Sequence, residues 1–101
     1  METDSEIELK EKYLSLMNIT EYLEHARLFG CFSIIDLRHI WLARELLSGK
    51  LNDFESEDFK KQIKIVVRAL NIASHKGAFN YEQGADIYQS IKILGYSEDL
   101  L

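Results

Sequence analysis

Apolar residues recur at spacings of three and four along most of the chain, the period that lines one face of an α-helix. Leu9, Tyr13, Leu16, Ile19 or Thr20, Leu23 and Ala26 form a first stripe, closed by Phe29 and Gly30. Ile34, Leu37, Ile40, Trp41, Leu46 and Leu47 form a second, closed by Gly49. Phe59, Ile63, Val66, Val67, Leu70 and Ala73 form a third before Gly77. Tyr81, Ile87, Tyr88, Ile91 and Leu94 form a fourth before Gly95.

The ends of these stripes carry helix punctuation. Thr3 with Glu6, Ser33 with Asp36, and Asn80 with Gln83 stand at capping-box spacing. Ser56 opens the third helix, with Glu57 and Asp58 in a first turn where acids suit the helix dipole. A glycine after each stripe can take the positive φ that ends a helix. Asn18-Ile19-Thr20 could divide the first helix, since Asn and Thr both cap well. The expectation is one helix with a kink there. Residues 50–55 read as a polar linker holding Phe54, and 96–101 as a short acidic tail beginning at Tyr96.

Shifting the chain by 47 residues brings its halves into phase. Leu23 meets Leu70, Ala26 meets Ala73, Gly30 meets Gly77, Phe32 meets Phe79, Ile40 meets Ile87 and Leu47 meets Leu94. Ser33 meets Asn80, both N-caps, and Trp41 meets Tyr88. The reading is an all-α, four-helix domain of two similar helix-turn-helix hairpins, 4–49 and 56–95. In each turn Gly ends one helix, a small residue (Cys31 or Ala78) lets the chains pass closely, and Phe staples onto the next helix. Phe32 and Phe79 are therefore expected as local plugs, and Cys31 as a buried filler.

Composition narrows the function. The chain has 101 residues, 47 % of them hydrophobic, and no proline, which suits a single domain of long helices joined by short turns. Its formal net charge of −5 opposes a phosphate backbone. The charge is uneven: seven acids (Glu2, Asp4, Glu6, Glu8, Glu11, Glu21, Glu24) face two bases in residues 1–24, whereas Lys60, Lys61, Lys64 and Arg68 share 60–68 with no acid. Such asymmetry is either two solvated faces or a guide to docking, within the fold or between copies. The single cysteine allows no internal disulfide, and no apolar run nears the ~20 residues of a membrane span. The expected setting is soluble and intracellular, in the cytoplasm or in something assembled there, with no membrane insertion.

Residues 73–91, Ala-Ser-His-Lys-Gly-Ala-Phe-Asn-Tyr-Glu-Gln-Gly-Ala-Asp-Ile-Tyr-Gln-Ser-Ile, resemble a pattern in small helical accessory and structural proteins of large DNA viruses and phages. There a helix ends in Lys-Gly-(Ala/Val)-(Phe/Tyr) and the next opens with a polar cap and an acid. The resemblance implies a structural component of a large assembly and no active site. Gly84 departs from the Ala or acid usual at its position.

The chemistry of catalysis finds no constellation. Asp36 and His39 have carboxylate-x-x-His spacing, but the second half offers Gln83 and Asp86 in their place, so a di-iron arrangement fails. His25 and His75 lie near helix ends. Cys31 follows a helix rather than opening one, where its thiol would be acidified. No serine lies in Gly-x-Ser-x-Gly, and Gly77 and Gly84 form no phosphate loop. The expectation is no enzyme, cofactor or metal, but a protein-interaction module, a structural or adaptor subunit that binds other proteins or itself. Its interface candidates are Phe54, Tyr96, Trp41 and Tyr88; for Trp41 and Tyr88 the preferred reading is paired core residues of the two hairpins, whereas Phe54 and Tyr96, in linker and tail, are expected to touch a partner. The alternative is a small helix-turn-helix DNA-binding regulator using Arg38, His39, Arg44 and the Lys60–Arg68 cluster, but Glu82 and Asp86 on its fourth helix would face phosphates.

Overall fold

The computed structural model describes residues 4–49 and 56–95. Four helices follow in order: α1 (Asp4–Phe29), α2 (Ile34–Gly49), α3 (Glu57–His75) and α4 (Tyr81–Ile93). There is no strand among the described residues, and the fold is all-α. At 26 residues, α1 spans about 39 Å, close to the molecule's greatest extent of 43 Å. It runs through Asn18–Thr20 as one helix, and Thr20 bonds its hydroxyl back to the Met17 carbonyl at 2.8 Å. Capping at Thr3 lies outside the described residues.

The caps form as their spacing predicts. The Ser33 hydroxyl accepts from Asp36 N–H and the Asp36 carboxylate from Ser33 N–H, both at 3.1 Å. Asn80 and Gln83 make the same reciprocal pair at 2.8 and 3.0 Å. Ser56 accepts from Phe59 N–H at 3.1 Å. Gly30 and Gly77 hold φ of +89° and +83°, and each donates its N–H to a carbonyl three residues back at 3.0 Å.

The main packing runs between the hairpins. α2 lies on α3, α4 lies on α1, and α1 crosses to α3. Each hairpin thus seats its second helix on the first helix of the other, an arrangement compatible with two similar units. Burial repeats with the same 47-residue shift. Leu16, Ile19, Leu23, Ala26, Cys31, Ile40, Ala43 and Leu47 are buried, and so are Ile63, Val66, Leu70, Ala73, Ala78, Ile87, Ser90 and Leu94. A small satellite core of Ala26, Cys31, Ala73 and Ala78 joins the turns, with half-buried Phe32 and Phe79 bridging it to the main core. The turns are also tied by hydrogen bonds: His25 Nε2 lies 3.0 Å from the Ala78 carbonyl, and Lys76 Nζ donates to the Cys31 carbonyl at 2.6 Å.

The second apolar stripe needs correction. Ile34, Leu37, Trp41 and Leu46 are exposed, not core. α2 has one main neighbour, so only the arc of Ile40, Ala43 and Leu47 is covered. Leu9, Phe29 and Tyr81 are exposed as well. Trp41 and Tyr88 are not a buried pair, since Trp41 is 60 % exposed and Tyr88 half-buried.

Candidate functional site

α2 is apolar nearly all round, the pattern of a helix surrounded by others, yet most of its circumference is open. At helical spacing Ile34, Leu37 and Trp41 form one exposed stripe, and Ile35, Leu42 and Leu46 another. Arg38 and Glu45 run between them, both exposed. Ile34 and Ile35 are 86 % and 68 % exposed. The local sequence explains how they come to be held there. The Ser33–Asp36 cap fixes the start of α2, and Ile40, Ala43 and Leu47 then turn the remaining large side chains outward.

α1 carries a second open stripe, Leu14, Met17, Glu21 and Leu28, on the side away from Leu16, Ile19 and Leu23. Nearby Glu24 is held below the usual carboxylate range, first by its hydrogen bond from Arg27, and Arg44 approaches it at 3.7 Å.

Two grooves occupy corresponding places in the halves. The first, about 280 Å³ between α2 and α3, has Phe32, Ile40, Ile65, Ala69 and Ile72 along its apolar part and His39, Lys61, Lys64, Arg68 and Asp36 along its polar part. The second, about 230 Å³ between α1 and α4, is lined by Asn18, Glu21, Tyr22, His25 and Gln83. Shifted by 47, those five fall on Ile65, Arg68, Ala69, Ile72 and Asp36, all of which line the first groove.

Beside the second groove a polar network ties α1 to α4. Asn18 Nδ2 donates to Asp86 Oδ2 at 3.0 Å and to Ser90 Oγ at 2.8 Å, and the Tyr22 hydroxyl donates to Asp86 Oδ2 at 2.8 Å. These donors hold the Asp86 carboxyl below its ordinary range, that of Asn18 foremost. Burial, followed by the Asp86 hydrogen bond and nearby negative charge, pushes Tyr22 up to about 12. Sequence reasoning missed this network, treating Asn18 only as a possible helix break. Its signal was an Asn and a Tyr one turn apart on a face that also meets α4.

The other singled-out residues take plain places. Cys31 is buried and free. Asp36 is occupied by its cap; its carboxyl is lowered first by the Ser33 backbone N–H. Among the described residues no three His, Cys, Asp or Glu converge as metal ligands, and no helix is long and apolar enough to cross a membrane. Tyr88 lies beneath Lys92, whose Nζ is 5.7 Å from the ring centre. Phe54 and Tyr96 lie outside the described residues. Searches found no matching protein-family model, curated protein or solved structure.

Proposed function

We propose that the chain is a non-enzymatic protein-binding module, a structural or adaptor subunit whose outer α2 surface is its contact. The observation that carries this reading is the exposure of six large apolar side chains on one short helix: Ile34, Ile35, Leu37, Trp41, Leu42 and Leu46. Scattered exposed apolar residues are ordinary on a protein surface; six on one helix of 16 residues favour a covered surface. Trp41 is the anchor by residue type, since tryptophan dominates interface energetics. A role in a large assembly agrees with the viral and phage resemblance of residues 73–91. A lone cysteine, buried and unpaired, suits an intracellular setting, cytoplasmic or virion.

A photo-crosslinking residue at position 42 tests the reading. In extract from the native source, the expected product is one dominant crosslinked protein, displaced by excess unlabelled wild-type chain and not by Trp41→Asp. Diffuse crosslinking, or equal displacement by both competitors, would refute it.

A further inference from the structure

We infer that the α2–α3 groove receives the outer face of α1 from a second copy of this chain. This specifies one partner within the protein-binding reading but uses surfaces other than the exposed stripes of α2, so either contact can fail without the other.

The groove is chemically two-sided. Phe32, Ile40, Ile65 and Ile72 supply apolar surface, while Lys61, Lys64 and Arg68 follow one another at spacings of three and four along α3. His39 adds an imidazole from α2. Among the described residues these three cations have no ion-pair partner within 4.0 Å. The acid within the groove, Asp36, is taken up by the Ser33 cap; Glu57 and Asp58 lie at the N-terminal end of α3, beside Lys60, Lys61 and Lys64. An occupant must therefore bring apolar side chains and negative charge on one narrow element, which describes an acidic amphipathic helix.

The chain presents such an element. Leu14, Met17 and Leu28 are 65 %, 60 % and 73 % exposed on α1, and Glu21 lies on the same stripe at helical spacing. α1 also holds the acid-rich part of the sequence; of its exposed acids Glu6 lies along the same side as Met17, whereas Glu8 and Glu11 lie off the stripe. The corresponding stripe on α3 is Lys61, Lys64 and Arg68; Glu21 is opposite in charge to Arg68, and Leu14 and Met17 are apolar where α3 has lysines. In the groove equivalent to the basic one, Glu21 stands where Arg68 would, and the Asn18–Asp86–Tyr22 network occupies its edge. The fold thus carries one basic receiving groove and, on a different element, one apolar helix stripe with Glu21 set in it and Lys10 one turn before Leu14. Complementary charge across a partly apolar contact fixes orientation and register and is screened by salt.

Sedimentation equilibrium of wild type, Met17→Lys, Lys64→Glu and an equimolar mixture of the two variants tests this. Both substitutions fall on exposed helix positions, and circular dichroism melts verify folding, with Glu21→Lys and Arg68→Glu as second versions of each change. Wild-type mass is expected to rise with concentration and to fall back as salt is added. Each variant alone should associate at least about tenfold more weakly. The mixture should recover a dimer, because one variant keeps the groove and the other keeps the α1 face. A monomeric wild type at all concentrations would overturn the inference. So would variants that associate like wild type, or a mixture that behaves as the average of its parts. Duplex DNA that binds wild type, fails on Lys64→Glu and leaves the chain monomeric would overturn it in favour of nucleic acid. Crosslinking at position 42 persisting in these variants would show the α2 contact standing apart.

Discussion

Replacing Trp41 with alanine separates a core tryptophan from an interface anchor. The residue keeps 60 % of its surface exposed, so about two-fifths is covered. A tryptophan hides ~150–250 Å² when fully buried, which leaves roughly 60–100 Å² covered here. At ~25 cal/mol per Å² that surface is worth about 1.5–2.5 kcal/mol as an upper bound. The unfolded chain already shields part of the same area, which lowers the figure. Alanine then returns roughly half a kcal/mol through its better helix propensity. The expected net loss for Trp41→Ala is about 1 kcal/mol. Phe59→Ala, at a side chain with no exposed surface, should cost about 3–5 kcal/mol. Urea denaturation followed by far-ultraviolet circular dichroism is the assay, because the variant lacks the chain's single tryptophan as a fluorophore. In wild type, that fluorophore should be red-shifted and readily quenched by iodide. The same substitution should weaken partner binding by about 2 kcal/mol or more. A stability loss approaching that of Phe59→Ala would refute the surface placement and the anchor role built on it.

Three further outcomes follow from particular residues. Gly30→Val and Gly77→Val should each cost roughly 1–2 kcal/mol or more, because both positions hold φ above +80°. Gly84→Ala should instead add roughly 0.5–1 kcal/mol, since a Cβ there meets nothing within 4 Å inside a helix; chemical denaturation reads all three, and equal effects would refute the distinction. Folding should depend on pH at both ends of the scale. Tyr22 is raised from 10.0 to about 12, so its contribution is whole below about pH 10 and lost as pH climbs through 12. Asp86 is lowered, so its contribution is whole above the ordinary carboxylate range and lost as pH falls through its folded value. In Asp86→Asn, Tyr22 should return only part of the way to 10.0, because burial, its largest cause, remains; tyrosinate absorbance with Tyr22→Phe as the blank measures this. Duplex DNA should not bind with sub-micromolar affinity at physiological salt, given a formal charge of −5 and acids beside the basic cluster; an anisotropy titration with a steep salt slope would contradict this.

Helices and turns were legible because their signals are local. Ser33 with Asp36 and Asn80 with Gln83 cap through atoms three residues apart, and Gly30 and Gly77 need only their own dihedral freedom. α3 was legible for another reason: its neighbours lie on one side, and Phe59, Ile63, Val66, Val67, Leu70 and Ala73 are all buried. α2 misled because an apolar period marks faces that could be covered, not the face that is. With eight large apolar residues spread round the helix, periodicity could not choose between the arc of Ile40 and that of Trp41. Only the seating of α2 on α3 decides it. The same limit hid the grooves and the Asn18–Asp86–Tyr22 network, whose partners lie more than 60 residues apart in the chain.

The two halves hold their second helices by different means, and the difference bears on the surface proposed for binding. α4 is tied to α1 by directional bonds: Asn18 reaches both Asp86 and Ser90, and Tyr22 reaches Asp86. A slip or rotation of α4 would break three hydrogen bonds and leave Ser90, which is buried, without its partner. At the corresponding places between α2 and α3 stand Ile65, Ala69, His39 and Ala43, which make no such bonds. α2 is held along its length by Ile40, Ala43 and Leu47, contacts that tolerate small rotations. Directional bonds fix register where α4 must stay, and non-directional packing carries the helix that bears the exposed apolar surface. A helix seated this way can adjust its outer stripes to a partner without first breaking a hydrogen bond between helices. The turns at either end are nearly alike, down to the satellite core of Ala26, Cys31, Ala73 and Ala78. The faces are where the halves part: the basic groove, the apolar stripe of α1 and the apolar outside of α2 have no counterparts in kind. Shared turns with unlike faces present separate surfaces from one frame, and under the proposed protein-binding function those surfaces are where a partner is to be sought.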